Sequence, residues 1–443
     1  MHVAPPPDIA QIMSSREIDF GRIVDARAHL PSGYPHWDKV RHLDPPAGLT
    51  PEEWWVAIKL ARTTRMLPLR DANGTPLSYG LTDEIVRLQM FVDQRCAGEV
   101  VMDEVVVDDD QARKRYLVNG LMEEAIRSSQ LEGATTSRQI AKELLRSGRE
   151  PSDRSERMIL DNFRALSFVR DEMGDRLTPA LVLELHRILT AGTLDDPDAA
   201  GRLQRPDEER VVVVDVDTGR VLHQPPPAAE LPERLRALCD FANEPDDGER
   251  FIHPVVRAIL LHFWLAYDHP FADGNGRTAR ALFYWYLHLR GYWLVEYLSI
   301  SRILRDAPAK YARAFLYVET DDGDTTYFLL DQLQVIERAV HEFHQYLQRK
   351  IREVREVESL VAGDTRFNRR QVDLLSDALR HPERVCTFGG HARDHRVTHE
   401  TARSDIAGLV ELGLLERTRR GQSYRFLVPP DLAKRLRRMG GRS

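Results

Sequence analysis

Cysteine is scarce in this chain: Cys96, Cys239 and Cys386 are the three present, far apart and without CxxC spacing. That excludes a disulfide framework and a thiolate zinc site, and a reducing compartment is expected. Long apolar runs are missing too, none approaching the roughly 20 residues of a membrane-spanning helix. The start, MHVAPPPDIAQ, has no basic stretch followed by an apolar core, so the expectation is a cytoplasmic protein with no membrane partner. His253, His262 and His269 are nine and seven residues apart along one helical stretch, a spacing that cannot converge on a metal ion.

What remains is an ordinary globular composition, 42% hydrophobic and 30% charged over 443 residues, enough for two or three domains. The net charge of −7 is unevenly shared, because residues 361–443 carry 17 Lys and Arg against 10 Asp and Glu, a local excess of +7. Residues 1–105, rich in proline and tryptophan with loop signals such as DANG, read as an irregular region of no assigned role. Residues 106–355 read as helices in series, with Thr178 as an N-cap and Pro179 at a first helical position, and residues 356–443 as a separate basic domain.

The helical rhythm breaks once, at RVVVVDVDTGRVLHQPPP (210–227), where two β-branched runs around a DTG turn predict a hairpin. A lone two-stranded hairpin is marginal, so it either packs on the helices or takes up a partner strand. Two strongly apolar helices follow. Val256, Ile259, Leu260, Phe263 and Tyr267 form a stripe on the first, and Ala279, Leu282, Phe283 and Tyr286 on the second, which ends near Gly291.

Between them lies DHPFADGNGRTAR (268–280), a loop opening into a helix. Unpaired N–H groups at a helix start make an anion site, and Gly274 and Gly276 let the backbone approach a ligand closely. Asn275 can donate to a phosphate oxygen, while Arg277 and Arg280 are three apart and present guanidinium forks suited to phosphate. Asp273 supplies the hard oxygen that suits a nucleotide-borne Mg²⁺, and His269 is placed as a proton acceptor from an attacking hydroxyl. Phe271 reads as the loop's core anchor. The stretch has neither the Lys-Ser/Thr of a P-loop nor the spacing of a dinucleotide fingerprint.

This loop resembles the Fic family signature, in which a histidine, a phenylalanine two residues on and an acid lead into Gly-Asn-Gly-Arg and a second arginine. The resemblance spans roughly residues 115–335, including His253-Pro254, the hairpin and the later DTTYFLLDQL. It implies a mainly α fold, a Fic-type helical bundle with a β-hairpin flap near 210–224 and its motif loop at 269–280. It further implies a nucleotidyltransferase using ATP and Mg²⁺ to transfer AMP to a Ser, Thr or Tyr hydroxyl of a target protein docked by the flap, with self-modification as a side activity. In that scheme His269 is the base, Asp273 the metal ligand, and Gly274, Asn275, Gly276, Arg277 and Arg280 hold the phosphates.

Upstream, SSQLEG (128–133) matches the family's inhibitory helix in Ser128, Glu132 and Gly133 and places that helix near 121–133. Glu132 pairing with Arg280 would occupy a donor meant for the γ-phosphate. The basic tail resembles a winged helix-turn-helix domain: helix, short strand, helix, helix, then a hairpin around RTRRGQSYRF. There Thr398 caps a helix with Ala402, Ile406, Leu409 and Val410 inward and Thr401, Arg403 and Ser404 outward, and Arg417, Arg419, Arg420 and Arg425 line the wing. DNA binding and protein contact, including a homodimer, both stay open for it. Two other readings of the whole chain are a de-AMPylase that uses Glu132 to position water and a nucleotide-sensing, DNA-binding transcription regulator.

Overall fold

The computed structural model describes residues 3–14, 19–97, 110–214, 219, 221–245, 251–380, 385–420 and 423–440. The chain divides into two compact units, Met1–Val100 with Tyr116–Val340 and Val101–Arg115 with His341–Ser443. Both are mainly helical, and the strands form small two-stranded sheets.

The N-terminal part of the first unit is not the irregular segment its composition suggests. Helix Pro51–Ala61 starts with a reciprocal capping box between Thr50 and Glu53, and Pro51 at its first turn begins the helix rather than breaking it. Its Trp54 and Trp55 pack with Trp37, Ile23 and Val40, so the tryptophans are core and not loop. Strands β1 (Thr64–Arg70) and β2 (Pro76–Gly80) pair antiparallel, and the DANG signal is their turn. The other edge of β2 meets DTTYFLLDQL, where Ser78 N–H donates to Gly323 O at 3.0 Å and Thr325 N–H donates to Ser78 O at 2.7 Å.

At the centre, helices Pro254–Asp268 and Asn275–Leu289 pack on one another. The stripe expected on the first widens to the whole surface, since only Pro254 and Ala266 of its residues are not buried. A helix apolar all round belongs in the middle of a bundle. Helix Arg154–Asp171 and helix Pro179–Thr190, the latter capped by Thr178 Oγ1 accepting from Leu181 N–H at 3.3 Å, enclose the second central helix. The hairpin read at 210–227 is present but short: β3 (Val213–Val214) and β4 (Val221–His223) pair antiparallel, Val213 opposite His223. Asp217 and Thr218 of its DTG turn lie outside the described residues.

The second unit contains helices Arg369–Arg380, Phe388–Asp394 and His399–Glu411, strands β5 (Glu416–Arg420) and β6 (Ser423–Leu427), and helix Leu432–Gly440. Cys386 bridges β6 through two hydrogen bonds with Phe426, at 2.8 and 2.9 Å, and is the short strand between the first two helices. Leu375, Ile406, Leu409, Leu414, Phe426 and Leu432 give the unit its own apolar core. Among the described residues no helix is long and apolar enough to cross a membrane.

Candidate active site

Helix Pro254–Asp268 terminates on His269, whose backbone takes the left-handed region at φ 45° and ψ 55° and swings the chain toward the next helix. Phe271 is fully buried and anchors the loop, as expected. Asn275 then ties the loop to itself. Its Oδ1 accepts from Phe271 N–H at 2.9 Å, while its Nδ2 donates to Phe271 O at 2.8 Å and to His269 Nδ1 at 3.2 Å. Both amide hydrogens are thus spent inside the loop, so Asn275 can reach an anion only through its backbone N–H and not through the side chain the sequence suggested. An acceptor at Nδ1 leaves the proton of the neutral His269 ring on Nε2. Burial, aided by the charge of Arg210, pushes this imidazole down to about 4, so it is neutral near pH 7.

Gly274 has φ 82°, and a Cβ there would come within 2.8 Å of Thr190 Cγ2, so conformation and space both call for glycine. The helix that follows, Asn275–Leu289, has no side-chain cap, which leaves its first N–H groups for an anion. Arg277 is fully buried. Its Nη1 donates to Leu189 O at 2.9 Å, but Nε and Nη2 have no hydrogen-bond partner among the described residues. Burial lowers its pKa, with Asp273 opposing. Buried guanidinium donors without acceptors are the groups an anionic ligand would satisfy. Asp273 is 42% exposed at its side chain, with Oδ2 at 3.6 Å from Arg277 Nη2 and 3.9 Å from Arg154 Nη2. Its Oδ1 accepts from Gly274 N–H at 2.6 Å. That carboxylate fits a divalent cation that brings phosphate ligands with it, since no cluster of three His, Cys, Asp or Glu exists among the described residues to bind one by protein alone.

The upstream glutamate stands over this cradle. Helix Asp110–Leu131 ends one residue before Glu132, and Gly133 turns the chain away at φ 97°. Arg280 Nη2 donates to Glu132 Oε1 at 2.8 Å. Arg280 Nε donates to Ser128 Oγ at 2.9 Å and Nη2 to Ser128 O at 3.2 Å, so Ser128 braces the guanidinium one helical turn below the glutamate. Burial disfavours the Arg280 charge, but Glu132 together with Tyr311 and Glu124 outweighs it, and its pKa is raised. A methyl group on Gly276 would overlap the Glu132 carboxylate, which shows how closely that anion approaches the start of the helix.

Three functional supports have no counterpart in the sequence reading. His186 stacks on Phe271 with centroids 3.8 Å apart. It accepts from Gly201 N–H at Nδ1 (3.0 Å), which leaves Nε2–H to donate to Asp273 O at 2.9 Å. Burial pushes its pKa down to about 4 and keeps it neutral. Arg210, at the start of the flap, donates to Asp268 O at 2.8 Å and to His269 O at 3.2 Å. His223 on β4 contacts Tyr267 O at 2.6 Å through Nε2 and Glu319 through Nδ1. The flap is therefore pinned at both ends to the segment that carries His269. Nothing near His186, Arg210 or His223 in sequence marks them, because the backbone carbonyls they support at Tyr267, Asp268, His269 and Asp273 lie 44 or more positions away.

The geometry defines a mainly helical protein with an anion cradle at the mouth of a buried helix and a carboxylate seated in it. Residues 176–287 match the Fic/DOC family, so the chain carries a Fic/DOC domain, and it is similar to the protein adenylyltransferases called Fic. Protein adenylyltransferase Fic of Nematostella vectensis is 28% identical over 177 residues, 38% of this chain and 38% of that protein. Protein adenylyltransferase fic-1 of Caenorhabditis elegans is 36% identical over 101 residues, 23% of this chain and 17% of that protein. The matches thus span well under half of either relative's length. Among solved structures, a Fic family protein from Desulfovibrio desulfuricans G20 is similar at 20% identity with a TM-score of 0.49, over 80% of this chain and 98% of that one.

Proposed function

We propose that the chain is a protein adenylyltransferase held in check by Glu132. The observation that carries this reading is the pairing of a neutral, half-buried His269 with buried Arg277 donors that lack acceptors, at the two ends of one loop. A triphosphate laid along the start of helix Asn275–Leu289 would satisfy Arg277 and the free backbone N–H groups, with Arg280 as a further donor once Glu132 leaves it. A hydroxyl oxygen of the target attacks the α-phosphorus, the bond to the bridging oxygen breaks, pyrophosphate leaves, and the hydroxyl proton passes to His269. Because the proton of the resting ring sits on Nε2, His269 accepts at Nδ1 after parting from Asn275, or at Nε2 after its proton moves. Asp273 would hold a Mg²⁺ arriving with ATP, whose charge would offset that of the phosphates.

A target segment docks on the flap, where Val211, Val214 and Val221 are 38%, 44% and 49% exposed and offer a short apolar edge for an extended strand. With Glu132 on Arg280, the triphosphate is denied one donor and ATP is misplaced for in-line attack. Transfer of label from α-labelled ATP, in the wild type and Glu132→Gly, each with and without His269→Ala, tests the reading. His269-dependent labelling of the chain or of added protein that rises in Glu132→Gly supports it, whereas equal labelling without His269 removes the base. Removal of AMP is a second reading, favoured by the 26% exposure of Glu132, which leaves its carboxylate open to a water molecule beside the cradle. Release of AMP from a pre-labelled target by wild type, lost in Glu132→Gly, would select it.

A further inference from the structure

We propose that the C-terminal unit binds duplex DNA through the face formed by helix His399–Glu411 and the β5–β6 hairpin. Helix Phe388–Asp394 and helix His399–Glu411 are joined by a four-residue turn, the arrangement that lays the second helix in a major groove with its first turns toward base edges. Thr398 caps the second helix, accepting from Thr401 N–H at 3.2 Å. Ala402, Asp405, Ile406 and Leu409 are buried on its inner side, while Glu400, Arg403, Ser404 and Ala407 are exposed. That outer face has no side chain larger than alanine among its apolar residues. A protein interface needs an apolar centre, and an arginine flanked by small polar groups suits a groove instead.

Two further observations point the same way. Arg393 just before the turn and Arg417 on β5 are both exposed and flank the helix in sequence, with Arg417 set over the Tyr424 ring at 5.3 Å. Residues 361–443, which include this helix and hairpin, carry a basic excess, 17 Lys and Arg against 10 Asp and Glu, whereas the chain as a whole is −7. The helix is also rigidly aimed. Asp405 accepts from Asn368 Nδ2 at 2.7 Å, from Arg370 Nε at 2.7 Å and from His391 Nε2 at 3.2 Å, which ties it to both neighbouring helices. Burial opposes that charge, but these donors hold the carboxyl down to about 2, so the tie is intact across the working pH range.

The test uses the full chain and a fluorescent pool of short randomised duplexes, read by anisotropy and by sequencing of the bound fraction. With roughly four phosphate contacts, affinity should fall about a hundred-fold between about 50 and about 200 mM salt. Arg393→Ala/Arg417→Ala should weaken binding to all sequences and reduce the salt slope by about two, whereas Arg403→Ala should keep bulk binding and flatten the sequence preference. Arg393, Arg403 and Arg417 are all exposed, so unchanged melting of the variants separates lost contact from lost fold. The proposal is overturned if the wild type prefers no duplex over heparin or single strands, or if Arg393→Ala/Arg417→Ala binds as well as the wild type. It is equally overturned if the same substitutions instead break a dimer of a chain that ignores duplex. None of these readouts depends on AMP transfer.

Discussion

Replacing Glu132 with alanine isolates the charge that closes the cradle; alanine is preferred to glycine here because glycine adds unfolded-chain freedom beside Gly133. Arg280 is 2% exposed at its side chain and keeps two hydrogen bonds to Ser128 when Glu132 is removed. Breaking a fully buried ion pair by removing one partner costs roughly 3–5 kcal/mol. Glu132 is 26% exposed and Ser128 still serves the guanidinium, so about 2 kcal/mol is the expected loss in the unliganded protein. ATP should recover that energy, because its phosphate takes the vacated donor without first expelling a carboxylate. The affinity should therefore tighten by about 30-fold, the equivalent of about 2 kcal/mol. Urea unfolding without nucleotide and calorimetric titration with ATP read the two halves of the cycle, and Glu132→Gln should fall between wild type and alanine in both. Unchanged stability and unchanged affinity would show that the pair contributes nothing. Weaker ATP binding would show that Glu132 holds nucleotide instead of excluding it.

Gly276→Ala places a methyl group on the Glu132 carboxylate and should destabilise the wild type by about 1–3 kcal/mol but the Glu132→Ala protein by less, so a double-mutant cycle measured by urea should give a non-zero interaction energy. His186→Ala removes the stack on Phe271 and the tie to Asp273 O, and should cost about 2–4 kcal/mol in the same assay together with nucleotide affinity; an unchanged urea midpoint would deny it the bracing role. In ¹⁵N spectra of histidine-labelled protein, with His269→Gln as the assignment control, His269 should carry its proton on Nε2 in the wild type, and Asn275→Ala should shift that balance toward Nδ1. His36, His186, His262 and His269 are pushed by burial to about 4, 4, 3 and 4. Their folded values lie below the unfolded one, so their contribution is whole above about pH 6.5 and is lost as pH falls toward 4. Unfolding near pH 5 should take up close to four protons from this set, and a urea midpoint equal at pH 7 and pH 5 would contradict their neutral burial.

How much of this was legible follows from where each residue's partner lies. The motif loop could be read because its chemistry is contiguous: His269, Phe271 and Asn275 satisfy one another within six positions, and the glycines and arginines belong to one helix start. Glu132 and Arg280 are 148 positions apart, yet a carboxylate and a guanidinium find each other on charge alone once both are known to matter. His186 lies 87 positions from the carbonyl it supports and, viewed locally, is one more polar residue on an amphipathic helix. The N-terminal region looks irregular in sequence for the same reason. Arg62 reaches Asp321 and Tyr327 from more than 250 positions away, and β2 finishes its pairing at Gly323 and Thr325, so no local pattern shows that these residues are core.

Asn275 shows a different limit. Its place in the cradle was expected, but residue type and spacing do not say which way an amide faces, and here the face is decided by Phe271, whose N–H and C=O take both ends of the side chain. That orientation spends the donors expected for phosphate and turns them on His269 instead. The physical consequence is a division of labour within one loop: backbone N–H groups and Arg277 are left for the anion, and the asparagine sets which nitrogen of the histidine holds the proton. Substituting Asn275 should therefore change the protonation of His269 more than the affinity for phosphate, a separation that sequence spacing alone gives no reason to expect.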